Sequence, residues 1–410
     1  MNTMRDVISA AEAACQAQFR RIDEIAEYRS KAVLSAFSHH RVSDAYFAGT
    51  TGYGYDDIGR DKLEAIYAEV FGCEDALVRL QFVNGTHAIG CAMFAGLRTG
   101  DTLLSVSGHP YDTLQSVVGL NDKYPGSLRD YGISYRMLEL KNGKPDLNAI
   151  RSVLLEDSTV KTVFLQRSRG YTTRAALTLD DIRAVADCVK SVREDICVLV
   201  DNCYGEFVEK EEPTMCGADL MAGSLIKNPG GGLAPGGGYI AGKSQYVEAA
   251  AMRMTVPGIG RECGGTYGQN RLLYQGFFFA PHTTAQALKT AVFCASLLSR
   301  LGYEVSPTVD DARHDLIQTV ALGEPELVKK FCRGVQAGAP VDSFVTPEPY
   351  AMPGYDCPVI MAAGAFIQGS SIELSADAPM REPYLVYLQG GLTYESGKAG
   401  ILKAVEYMQE

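Results

Sequence analysis

Apolar residues recur at helical spacing over residues 1 to about 48, and the pattern then breaks on a cluster rich in glycine and tyrosine, AGTTGYGYDDIGRDKLE (Ala48 to Glu64). A further helix follows and ends near Gly72. The cluster reads as a loop with a task beyond connection. From Ala76 onward, short apolar runs alternate with helical stretches: ALVRLQFV then helix from Thr86, TLLSV then helix after Pro110, ISYRMLEL then helix, VKTVFLQ then helix from Leu179, and ICVLVD. This alternation predicts an α/β chain with a mostly parallel sheet covered by helices on both faces. A long helical stretch from about Thr284 leaves that unit, and the remainder mixes helices with alternating strands such as AFIQGSSIEL and PYLVYLQGG. The pattern divides the chain into an N-terminal helical segment (1–48), a large domain (49–283) and a smaller α/β domain (284–410).

In open parallel sheets ligands bind where the strands end at their carboxyl side. The residues just after the apolar runs are rich in chemistry: Asn84, Gly85 and Thr86; Ser107 and His109; Arg167 and Arg169; Asp201.

Composition narrows the partner. The 410 residues are 46% hydrophobic, enough for a large core, and 38 Lys plus Arg against 49 Asp plus Glu leave a net charge of −11 with no long run of either sign. That balance argues against a nucleic-acid or anionic-lipid surface and favours a small-molecule partner. Eleven scattered cysteines show no CxxC pair and no Cys/His spacing suited to zinc, and no carboxylate cluster suits a hard metal ion. Reduced thiols in a cytoplasmic protein are the expectation. The first residues lack the apolar core of a signal peptide, and the longest candidate span, VIMAAGAFI (Val359 to Ile367), is too short for a membrane.

One segment concentrates the chemical question: SLIKNPGGGLAPGGGYIAGKS, from Ser224 to Ser244. Its end, GGYIAGKS, satisfies the letters of a nucleotide phosphate loop, but YIA reads as a strand and Gly242 as its terminating turn, so Lys243 is expected to be a solvated turn residue. Lys227 differs. DLMAGSLIK is apolar on both sides of Ser224, which places Lys227 at the end of a buried strand, where an unpaired ammonium is costly and usually ends in a depressed pKa or a covalent use. A lysine that holds pyridoxal phosphate through a Schiff base needs an acid near the pyridine nitrogen, phosphate donors and a flat surface against the ring. Asp201 closes ICVLVD 26 residues before Lys227, a position that also suits a helix cap. Tyr204 could donate to the ring hydroxylate or pack in the core. Gly85 and Thr86 lie at a strand-to-helix junction that favours a phosphate, with Asn84 or Thr86 as a simple N-cap the plain alternative. Ser224 supplies a further hydroxyl. The glycines from Gly230 to Gly238 are expected to pass close to the cofactor and to give the site a mobile edge.

Taken together, TGYGYDDIGRDKLE, FVNGTHAI, SGHPYDTL, QRSRGY, VDNCYGEF, GSLIKNPGGG and REPYLVYLQGGLTYE resemble fold type I pyridoxal phosphate enzymes. The closer resemblance is to the cystathionine beta-lyase-like family named for aluminium resistance, also called the methionine gamma-lyase family. The resemblance implies the fold type I transferase fold, with Lys227 as the cofactor lysine, Asp201 at the pyridine nitrogen, and Gly85, Thr86 and Ser224 on the phosphate. It implies that Tyr111 stacks on the ring and that Arg381 clamps the substrate carboxylate. Tyr55 and Arg60 lie in a loop that in related lyases reaches the neighbouring subunit's phosphate. Their spacing departs from the usual Tyr-x-Arg, which leaves the choice between Tyr53 and Tyr55 open, and Ile226 stands where a hydroxyl residue is common. The expected activity is a carbon–sulfur lyase acting on a sulfur amino acid of the cystathionine or methionine type by β- or γ-elimination, with Lys227 as base and Tyr111 or the partner's Tyr55 as acid. An aminotransferase and a catalytically silent cofactor-binding protein are the alternatives. The shared loop implies a homodimer or homotetramer.

Overall fold

The computed structural model of the chain describes residues 3–121, 124–352, 355 and 357–410. Helix α1 (Met4–His39) opens on a capping box between Thr3 and Asp6 and is followed by a short turn at Asp44–Phe47 and by α2 (Ile58–Val70). The large sheet contains β1 (Asp75–Arg79), β2 (Thr102–Ser105), β3 (Ser134–Met137), β4 (Val160–Gln166), β5 (Cys197–Asp201), β6 (Leu220–Ser224) and β7 (Gly238–Gly242). Its order is β1-β7-β6-β5-β4-β2-β3. Only β7 runs against the others, wedged between β1 and β6. The apolar runs of the sequence thus become strands buried on both faces, as a parallel sheet requires.

Helices α3 (Gly85–Ala95), α4 (Asp112–Val118), α5 (Leu147–Glu156), α6 (Leu179–Val192) and α7 (Ser244–Met254) surround this sheet. Helix α8 (Asn270–Arg300) then crosses to a second sheet. It begins at Asn270, not near Thr284, and continues through Pro281, whose ring reads as a break in sequence but is carried inside this long helix. The second sheet joins β8 (Glu304–Ser306), β9 (Gln318–Ala321), β10 (Val359–Ala363), β11 (Ser375–Pro379) and β12 (Leu385–Gln389) in the order β10-β11-β12-β9-β8, every pair antiparallel. Helices α9 (Pro325–Ala337) and α10 (Tyr394–Gln409) pack together beside it. The run AFIQGSSIEL, expected as a strand, forms turns, and the strand begins immediately after it at Ser375.

Two of the apolar cores share α1 and α8, and a third gathers Leu77, Phe82, Ile89 and Leu103. Val33 and Ala36 of α1 join Leu273, Tyr274 and Phe277 of α8 in the core under the large sheet. Ala11, Cys15 and Ile22 join Ala285 to Leu298 of α8 in the core of the small sheet. All eleven cysteines are free thiols. Among the described residues no helix is long and apolar enough to cross a membrane.

Candidate active site

Strands β5 and β6 lie side by side in parallel register, so Asp201 at the end of one and Ser224 at the end of the other reach the same edge of the sheet. Lys227 follows Ser224 by three residues, and its Nζ lies 3.9 Å from the centroid of the Tyr204 ring. Asp201, Tyr204, Ser224 and Lys227 line one cavity together with Gly85, Thr86 and Tyr111. Seven of the residues singled out in the sequence are thus gathered around a single space.

Each has a local reason for its place. Asn84 Oδ1 accepts the His87 amide at 2.9 Å and starts α3 at Gly85. The Gly85 and Thr86 amides lie in the first turn, where helix geometry provides no intrahelical acceptor. The simple-cap alternative therefore holds for Asn84 and leaves those donors over. Gly85 is required by close approach: a Cβ there would meet Ser224 Cβ at 3.0 Å and Cys203 Sγ at 3.5 Å. Thr86 and Thr113 hydroxyls lie 2.9 Å apart. Tyr111 is held by its amide donating to Gln166 Oε1 at 2.6 Å and by a hydroxyl contact of 2.5 Å with Tyr355. Tyr204 adopts φ of +70°, and its hydroxyl meets Ser371 Oγ at 2.9 Å.

The electrostatics centre on a lysine among acids. Burial disfavours the Lys227 ammonium, but Cys203, Tyr204 and Asp201 outweigh it and raise its pKa. Burial lifts the Cys203 thiol and the Tyr204 hydroxyl above their ordinary ranges, which leaves Asp201 as the carboxyl partner of Lys227. Asp201 is itself raised by burial, opposed by Lys227 and by the Cys203 amide, which donates to its Oδ1 at 3.0 Å.

The small sheet supplies the facing wall. Asp377 of β11 and Gln389 of β12 line the same cavity, as does Tyr171 from the loop after β4. The Tyr171 hydroxyl and Gln389 Nε2 each donate to Asp377 Oδ2 at 2.8 Å. Sequence reasoning assigned these residues no role. Tyr171 stands inside QRSRGY, whereas Asp377 lies in SADAP, which starts ten residues after the start of the strand that the apolar pattern predicts.

Other expected residues lie elsewhere in this chain. Tyr55 is 54% exposed, 5.6 Å from the ring of Tyr53, and does not line the cavity. Arg60 is buried and binds its own loop, NH1 donating to the carbonyls of Gly54 at 2.6 Å and Gly264 at 3.0 Å. Arg381 lines a separate cavity with Thr172, Thr173 and Glu382, which shares Tyr171 with the Lys227 cavity.

One expectation for the glycine segment is corrected and another is met. Gly230 and Gly231 are buried against α8: Cβ atoms on Gly231 and Gly276 would stand 2.2 Å from the carbonyl oxygens of Gly276 and Gly230 respectively. Gly230 and Gly231 are packed backbone, not a mobile edge. As the apolar YIA predicts, Gly238–Gly242 is strand β7 with α7 starting at Ser244, so the segment is no phosphate loop, and Lys243 pairs with Asp219 at 2.7 Å.

The sequence profile of the methionine gamma-lyase family matches residues 4–409. The chain belongs to this family. It is 50% identical over 393 residues to protein YnbB of Bacillus subtilis, covering 95% of this chain and 93% of that one. A crystal structure of a carbon–sulfur lyase involved in aluminum resistance from Clostridium novyi is 52% identical, superposes with a TM-score of 0.94, and covers 98% of this chain and 95% of its own. The pyridoxal-5'-phosphate dependent protein YhfS of Escherichia coli is 17% identical with a TM-score of 0.64 over 94% of this chain and 97% of its own, a likeness of fold. The sheet order and these neighbours establish fold type I.

Proposed function

We propose that this member of the methionine gamma-lyase family is a pyridoxal phosphate-dependent carbon–sulfur lyase acting on an amino acid with a thioether or thiol side chain. The observation that carries the reading is Lys227 at the mouth of β6, over Tyr204 and beside the buried Asp201, with a helix N-terminus and two hydroxyls at the same edge. The donor set fits the cofactor. The Gly85 and Thr86 amides with the Thr86 and Ser224 hydroxyls would hold its phosphate, Asp201 would keep the ring nitrogen protonated, and the Tyr111 ring would cover its face. When bound, pyridoxal phosphate supplies an electron sink for the pair left at a substrate Cα.

The chain supplies the proton handling. Lys227, freed by the substrate amine, removes the Cα proton as a general base, and the short Cys203–Tyr204 segment fixes where its amine can stand. Tyr111, whose hydroxyl touches Tyr355 at 2.5 Å, donates a proton to the departing sulfur. Burial pushes the Tyr111 hydroxyl well above the ordinary tyrosine range, with Tyr355 adding to the effect, so it is protonated at neutral pH and available as an acid. With a cysteine thioether the net reaction consumes one water and yields thiol, pyruvate and ammonium. In a homodimer the exposed Tyr53 and Tyr55 loop would complete the neighbouring subunit's site.

The test is a visible spectrum of the purified protein, borohydride reduction and peptide mapping, followed by assay of thiol and keto acid. Pyridoxyl mass on Lys227 and thiol release are expected. Amino transfer to an added keto acid would replace the lyase with an aminotransferase, and cofactor without turnover would leave a binding protein.

A further inference from the structure

The cavity wall formed by the small sheet carries a carboxylate that the proton handling above does not use. Asp377 receives both of its hydrogen bonds, from Tyr171 and from Gln389, on Oδ2. Its Oδ1 receives none from the described residues, and the side chain lines the cavity. One oxygen is therefore held by two neighbours in the cavity wall, and the other has no donor among the described residues. Burial pushes Asp377 up to about 6, with Tyr171, Lys227 and Gln389 pulling the other way, so it is charged above neutrality.

The rest of the lining sharpens the requirement. Lys227 is the only lysine or arginine among the described lining residues, whereas Asp201 and Asp377 both contribute carboxylates. A ligand with an anionic far end would set carboxylate against carboxylate. One with an apolar end would strip water from Oδ1 and give it no donor, a loss comparable to a charged hydrogen bond. An ammonium or another N–H group satisfies it.

The geometry points to Asp377 as a specificity-determining residue that selects amino acids whose side chain ends, beyond the sulfur, in an ammonium or another N–H donor. Tyr171 and Gln389 are positioning residues that orient its free oxygen. The assignment rests on reading the cavity as an amino-acid site.

The experiment uses the full-length protein reconstituted with pyridoxal phosphate at mildly alkaline pH. Calorimetry compares L-lysine with L-2-aminoheptanoate, which has the same shape with methyl in place of ammonium, and neither carries a sulfur to expel. Lysine is expected to bind at least about tenfold tighter, a margin that falls to about twofold or less in Asp377→Asn. Turnover of S-(2-aminoethyl)-L-cysteine over S-propyl-L-cysteine should show a similar preference, expressed mainly in KM and lost in the same variant. Equal binding of the two isosteres by the wild type overturns the assignment, as does an undiminished margin in Asp377→Asn. Should that variant not fold, the wild-type margin decides alone. Lysine preference without thiol release from either cysteine derivative would sink the lyase reading and leave Asp377 in its role.

Discussion

On the large-sheet side of the cavity, Asp201, Ser224 and Lys227 sit at or just past the ends of parallel strands, and Gly85 at the start of a helix. On the small-sheet side, Asp377 and Gln389 belong to the antiparallel strands β11 and β12 and reach the cavity from there. The first wall offers backbone amides, a lysine and an acid, the needs of a phosphate-bearing ring. The second offers a carboxylate anchored at one oxygen, the needs of a selective contact. On the proposed reading, chemistry and choice of substrate fall on separate elements, so a substitution on one wall should change rate for every substrate and on the other should change their ranking.

Replacing Lys227 by alanine tests the first half most severely. Steady-state assays should find turnover lower by about a thousandfold or more for all substrates alike, with circular dichroism unchanged. Substantial residual activity would move the base to another residue.

Behind the same wall, Gly231→Ala should destabilise the protein by about 2 to 4 kcal/mol, because φ is +55° and the new Cβ would stand 2.2 Å from the Gly276 carbonyl oxygen. Gly236, with nothing within 4 Å, is the control and should change stability by less than about 0.5 kcal/mol as alanine. Chemical denaturation of both variants separates a packed backing from a tolerant connector.

Charge on the second wall gives a pH signature. Burial pushes Asp377 up to about 6, so the proposed preference for amine-ended ligands should be present above that value and lost below it. Facing it are Lys227, Tyr111, Tyr171, Tyr204 and Tyr355 around the cavity and Cys332 on α9. Burial raises all four tyrosines and the thiol, which stay protonated across that range. Tyr171→Phe removes a donor to the carboxylate and should move the midpoint upward, measured as the pH dependence of the lysine-to-aminoheptanoate ratio.

A smaller effect is expected at Glu206, buried behind β6, where the Tyr239 hydroxyl donates to Oε1 at 2.8 Å. Burial pushes its carboxyl up to about 8. The folded chain holds that proton more tightly than the unfolded one, so stability present at acid pH is lost as pH rises from the ordinary carboxylate range through about 8. Glu206→Gln should flatten that part of the Tm-against-pH curve.

The same division governs how much could be read from sequence. Asp201, Gly85, Thr86, Ser224 and Lys227 were legible because parallel strands are long apolar runs and ligands gather where they stop. Asp377 was not. Its strand, SADAP, is five small or polar residues paired between neighbours on both sides, and the apolar alternation just before it belongs to turns. The partners of Arg60 could not be read from sequence for another reason: they are set by tertiary contact, and within this chain they are carbonyls of its own loop and of Gly264. The glycine segment was legible as backbone that must come close to something, but the partner, α8, lies more than forty residues further along the chain.

The sharing of α1 and α8 between both cores has a mechanical consequence. The two long helices act as a pair of splints across the junction of the sheets, each bonded by packing to both sides. Swinging the sheets apart as rigid plates would mean bending both splints or stripping Ala11, Cys15 and Ile22 from their contacts. The spacing of the two walls around Lys227 is therefore held by these helices, and Tyr355 meets Tyr111 within that frame.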